Sequence, residues 1–157
     1  MSARSFLAAH FRKTLGEDRG IDLSTRSDSE MLDSIEYHLF PNMFLFPGVS
    51  LPMVYRFRPN GMDPDSAIFD LLFLEELAPG QERPEAPEPF KIDIGTSYET
   101  VPGIGPFLGH VYDQDTGNLE MQQKGFKAAR KNAQTLGNYQ EIRVRRLHKT
   151  LDTYLNA

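Results

Sequence analysis

The sequence contains no cysteine and no tryptophan. Without thiols there is no disulfide framework, no thiol nucleophile and no iron–sulfur cluster held by these residues alone. No apolar run reaches membrane-spanning length, and the first seven residues, Met1-Ser-Ala-Arg-Ser-Phe-Leu7, lack the apolar core of a signal peptide. A basic excess is missing too. Seventeen Lys and Arg stand against 22 Asp and Glu, a formal charge of −5, which disfavours non-specific binding to nucleic acid or to an anionic membrane. The one basic cluster, Arg143, Arg145, Arg146 and Lys149, is interleaved with Glu141 and Asp152 and reads as a solvated helix face. A soluble cytoplasmic protein is the expectation. With 157 residues, 39% of them apolar and 25% charged, the chain has globular composition and the length for one domain with a hydrophobic core.

Periodicity organises what is present. Leu7, Phe11 and Leu15 recur at helical spacing and predict a short helix over residues 5–15, ending at Gly16. Ser27-Asp-Ser-Glu30 has the form of a capping box, with Met31, Leu32 and Ile35 following at helical spacing. From Tyr37 the period shortens. Residues 37–42, 43–46 and 51–58 read as strands and turns, and Met53, Tyr55 and Phe57 alternate with Val54, Arg56 and Arg58 as in a half-buried antiparallel strand. The run 67–77 is nearly continuously apolar, consistent with a strand covered on both faces or a buried helix. Residues 79–89 hold four prolines among glutamates and predict an extended surface loop. A helix from near Pro106 and another over 142–155 follow; Val144, Leu147, Leu151, Tyr154 and Leu155 share one face of the latter. The pattern predicts an α+β domain, an antiparallel sheet packed by helices.

The helix after Pro106 carries an acid in an apolar stripe. Leu108, Val111, Tyr112, Asp115, Leu119, Gln122 and Phe126 fall within about a third of its circumference, so Asp115 is expected to face the interior. A buried, unpaired carboxylate is costly unless protonated, hydrogen-bonded or bound to metal; a structural acid and a metal ligand or catalytic group are both consistent with it. Gly117 weakens the helix locally. The segment Asp113-Gln-Asp-Thr-Gly-Asn118 is not a calcium loop, because its glycine is misplaced and its twelfth position is Lys124. Non-haem iron centres use two histidines and one carboxylate, but His10, His38, His110 and His148 are scattered. His110 lies far round the helix from Asp115, His38 reads as a hydrogen-bonded core residue, and His148 as a surface or capping residue. There is no Gly-x-Ser-x-Gly elbow, and Gly103-Ile-Gly105 continues neither as a dinucleotide fingerprint nor as a P-loop.

Four segments occur in order: Tyr37-His-Leu-Phe-Pro-Asn42, Leu51-Pro-Met-Val-Tyr-Arg-Phe-Arg-Pro-Asn-Gly61, Tyr112-Asp-Gln-Asp-Thr-Gly-Asn-Leu119, and Gln140-Glu-Ile-Arg continuing to Leu147-His-Lys-Thr-Leu-Asp-Thr-Tyr154. Together, from about Ile21 onward, they resemble the C-terminal catalytic part of the α subunit of Rieske-type aromatic-ring-hydroxylating oxygenases. The resemblance implies a helix-grip fold, a curved antiparallel sheet around long helices. It implies a mononuclear Fe(II) held by two histidines and one aspartate, fed with NAD(P)H-derived electrons through a Rieske [2Fe–2S] cluster, and O2 used to hydroxylate an aromatic substrate. By match to the Gln-Asp-x-x-Asn pattern, Asp115 is the implied iron ligand and Asn118 a neighbouring supporting residue. Phe107, Leu108, Val111, Phe46 and Tyr55 are implied pocket residues, or simply core. The implied partners are like subunits in a trimer, with or without β subunits, and a ferredoxin or reductase.

The departures are definite. The cluster's Cys-x-His and Cys-x-x-His ligands and the paired-histidine segment are missing from the sequence, so the chain is expected to correspond to residues 1–157 of a C-terminal portion: a truncation, a split gene or a stand-alone domain. Alone, it is expected to be inactive and to bind neither the cluster nor iron tightly. The rival readings are a metal-free helix-grip domain that binds an apolar ligand, and a partner subunit that completes a split oxygenase.

Overall fold

Two serines begin the fold by capping. In the computed structural model, which describes residues 2–131 and 133–157, the Ser2 hydroxyl accepts from the Ser5 amide and opens α1 (Ala3–Arg19). Ser27 and Glu30 complete a reciprocal capping box on α2 (Asp28–Leu32), as their spacing predicts. The expected stop at Gly16 is wrong. α1 continues past it because Gly16 lets the chain fold back closely: a Cβ there would meet the Ile21 carbonyl at 2.9 Å. Gly20, at φ 66°, ends the helix instead, in the left-handed conformation that glycine adopts without penalty.

The chain is α+β and divides into two compact units. The first comprises Met1–Glu85 and Thr150–Ala157, the second Ala86–Lys149. In the first, Ala8, Leu23, Met31 and Val49 form a buried cluster, flanked by Phe11, Leu15, Ile21 and Leu32. Arg12 fastens the two helices by donating to the Arg26 carbonyl at 2.7 Å and to the Asp28 carboxylate at 2.5 Å. The same unit carries an antiparallel four-stranded sheet in the order β1 (Tyr37–Leu39), β2 (Met43–Phe46), β3 (Met53–Pro59) and β4 (Ala67–Phe73). The architecture is consistent with a helix-grip domain, and the sheet is not closed.

Register places the aromatic rings on one side. Phe44 pairs with Tyr55 across β2 and β3, and Phe57 with Phe69 across β3 and β4. Phe46 lies 4.7 Å from Tyr55 between ring centroids, Tyr55 5.2 Å from Phe69, and Phe57 4.8 Å from Phe69. These spacings suit attractive ring pairs. The run after Ala67 resolves as a strand, but not as one buried on both faces: it lies at the sheet edge, and Ile68, Leu72 and Phe73 are substantially exposed. Leu74 closes it by donating to the Pro52 carbonyl at 2.9 Å.

On the other side of the sheet, Asp70 receives Arg56 at 2.8 Å and Arg58 at 2.6 Å. The Arg58 hydrogen bond, supported by Arg56, holds the Asp70 carboxyl down at about 2. Because the folded value lies below the unfolded one, the stabilisation is fully present above about pH 4 and is lost as pH falls through about 2. Both arginines are nearly half exposed, so solvent screening limits the contribution to about 1 kcal/mol. Thermal unfolding measured from pH 5 to pH 2 should therefore show a steeper loss of stability for the parent chain than for Asp70→Asn.

The second unit contains a 3-10 turn (Tyr98–Thr100) and α3 (Pro106–Ala128). α4 (Ile142–Leu155) is divided between the units. α3 runs unbroken through Gly117, and Pro106 occupies its first turn, where the missing amide proton is harmless. Arg145 on α4 reaches back to the Gly137 and Asn138 carbonyls. The other basic residues of that cluster, Arg143, Arg146 and Lys149, are exposed, as expected of a solvated face. No helix among the described residues is long and apolar enough to cross a membrane.

Candidate functional site

α3 is positioned by the Tyr98–Thr100 turn through one side of the helix. Gly109, Tyr112, Asp113 and Thr116 recur every three or four residues and share that side. Gly109 is the contact point: a Cβ on it would lie 2.6 Å from the Glu99 Cα and amide nitrogen. Tyr112 is 2% exposed, and its ring centroid lies 5.5 Å from that of Tyr98. Asp113 accepts the Ser97 hydroxyl at 2.5 Å and the Tyr98 amide at 2.8 Å. Those two donors, Ser97 first, lower the Asp113 pKa, whereas burial, reinforced by the Asp113 charge, raises that of Tyr98.

This arrangement overturns the expectation that Asp115 faces a dry interior. Asp115 is exposed, and among the described residues it has neither a hydrogen-bond nor an ion-pair partner. The physical reason is directional. Asp115 lies two residues, about 160° the short way round, from Asp113, and Asp113 is the acid that the turn takes. The apolar stripe exists, but Leu119 and Phe126 within it are also about half exposed. Periodicity correctly grouped the residues on one face without saying what covers it.

The remaining expected site residues divide between the units. Phe46 and Tyr55 are half-buried neighbours on β2 and β3 in the first. Leu108 and Val111 in the second are half-buried on the same side of α3 as Asp115, whereas Phe107, in the first turn, is 84% exposed. Asn118, one turn beyond Asp115, is exposed. His38 is not the core histidine expected: it is exposed, stacked on Phe44 with centroids 4.7 Å apart. His110 faces Glu99 at 3.2 Å, and His10 and His148 are exposed.

A ferrous centre of two imidazoles and a carboxylate needs three protein donors. Asp115 is an accessible carboxylate whose oxygens are not engaged among the described residues, which is compatible with the chemistry of one such donor. Among the described residues no group of three or more His, Cys, Asp or Glu side chains is gathered to hold a metal.

A family model described as the ring-hydroxylating alpha subunit (catalytic domain) matches residues 7–157. The chain belongs to that family. Membership places the parent enzyme among the ring-hydroxylating oxygenases, which are oxidoreductases that use non-haem iron. It also extends the likeness across α1, upstream of the four segments that carried the sequence resemblance. No curated protein and no solved structure matches the chain. Sequence reasoning missed Ser97, Gly109 and Asp113 in this ring-hydroxylating domain. The Ser97–Asp113 contact spans 16 residues and has no local signature, whereas a glycine inside a helical pattern was an available sign of close packing.

Proposed function

We propose that this chain is the C-terminal portion of the catalytic domain of a Rieske non-haem iron oxygenase α subunit, and that it contributes Asp115 as the carboxylate ligand of the mononuclear iron. The observation that carries the reading is the family match over residues 7–157. Asp115 stands in Gln114-Asp115-Thr-Gly-Asn118 and is free to ligate. The cluster's cysteines come from polypeptide outside this sequence, which contains none, and this reading assigns the paired iron-binding histidines to that same polypeptide because the four histidines here are scattered. Iron bound there supplies dioxygen activation, with electrons from NAD(P)H arriving through the cluster and a ferredoxin or reductase.

The chain's own residues then have simple tasks. Asp115 offers a negatively charged oxygen donor, and Asn118 one turn on is placed to support it. Leu108 and Val111 supply apolar surface beside that donor, with Phe107 in the first turn of the same helix as a further pocket residue. Such a wall favours an aromatic substrate by excluding water around it. Like subunits, with or without β subunits, complete the assembly in the cytoplasm.

The coding sequence upstream of Met1, and the proteins that co-purify with this chain, test the reading. A Cys-x-His and Cys-x-x-His pattern followed by a two-histidine segment, in the same frame or in a co-purifying subunit, is the expected result. Apolar-ligand binding by the chain alone, with neither segment in any partner, would overturn it in favour of a metal-free binding domain. The isolated chain, treated with iron and sulfide, should develop no visible Rieske absorbance.

A further inference from the structure

We propose that Ser97, Asp113 and Gly109 form a rotational stop that fixes α3 against the Tyr98–Thr100 turn and so sets the direction in which Asp115 is presented. The functional part of this inference rests on the ligand role proposed for Asp115. Gly109 permits contact with the Glu99 backbone that no other side chain would allow. At that contact a helix remains free to roll. Asp113, one turn along, removes the freedom by engaging the Ser97 hydroxyl at 2.5 Å and the Tyr98 amide at 2.8 Å. Thr116, on the same side, turns its hydroxyl inward along the helix to the Tyr112 carbonyl at 2.7 Å, and the Tyr98 and Tyr112 ring centroids lie 5.5 Å apart across the contact. With Asp113 held on one side, α-helical geometry directs Asp115 to the other. Ser97 and Asp113 are thus positioning residues: each is engaged by the other, and they act through the orientation of α3.

Absence of native cysteine makes the test direct. Nitroxides attached to Glu99→Cys and Asn118→Cys report rotation of α3 against the turn while Asp115 stays intact. One narrow distance is expected for the parent background. Ser97→Ala should broaden it by about twofold or more, and Ser97→Thr, which keeps the hydroxyl, should restore it. An unchanged distribution in Ser97→Ala overturns the rotational stop. In the complete oxygenase, Ser97→Ala should retain iron, shift the ligand-field spectrum of the ferrous centre and lower kcat about tenfold at unchanged KM, because small misplacement of a reacting group is costly. A broadened distance with an unaltered ferrous spectrum overturns the positioning role. Asp115→Ala that retains iron overturns instead the ligand role of Asp115, and the nitroxide distances still decide the stop.

Discussion

Gly109→Ala should destabilise the chain by about 1–3 kcal/mol in urea unfolding, although alanine is the better helix former. Propensity alone favours the substitution by about 1 kcal/mol. Packing reverses the sign, because the new methyl carbon would lie 2.6 Å from two backbone atoms of Glu99 and 2.8 Å from the Tyr98 carbonyl carbon. Backbone cannot swing aside as the tip of a flexible side chain can, so either the turn lifts from α3 or the helix shifts. Gly125→Ala is the matched control. It lies on the same helix, and a methyl group added there would meet nothing within 4 Å, so it should stabilise by about 0.5–1 kcal/mol. Opposite signs for the two glycines would establish that the turn bears directly on α3; equal stabilisation would contradict the close approach.

Asp115→Ala, introduced into the complete oxygenase, should reduce turnover by about a thousandfold or more, since under the ligand role proposed for it the variant would leave two imidazoles to hold iron. Because Asp115 has no hydrogen bond or ion pair among the described residues, the substitution breaks no such contact there and should leave the thermal unfolding of the isolated chain almost unchanged. A functional loss without a folding loss separates a ligand from a structural acid. If stability and turnover fell together, the acid would be serving the fold.

Local signals were legible where the interaction itself is local. The Ser27–Glu30 capping box, the alternation of Met53, Tyr55 and Phe57, Pro106 at the start of α3 and the bounds of α4 all follow from groups within a few residues of one another. Gly16 misled for the complementary reason: its place inside α1 depends on Ile21 folding back over it. The run after Ala67 was ambiguous because continuous apolarity suits a buried helix and a strand alike, and pairing with β3 decided it. Asp115 shares a helix face with the apolar residues its spacing groups it with, but much of that face is exposed rather than buried. What covers a stripe is fixed by a distant segment, here the turn that selected the Gly109–Asp113 side. The family was legible from four short segments because their order and spacing carry information that none has alone.

Iron and cluster content, determined together on the complete α subunit carrying Asp115→Ala, decide whether this carboxylate holds the mononuclear iron. Loss of that iron with the [2Fe–2S] absorbance retained in full is the expected result. Normal mononuclear iron in that variant would contradict it.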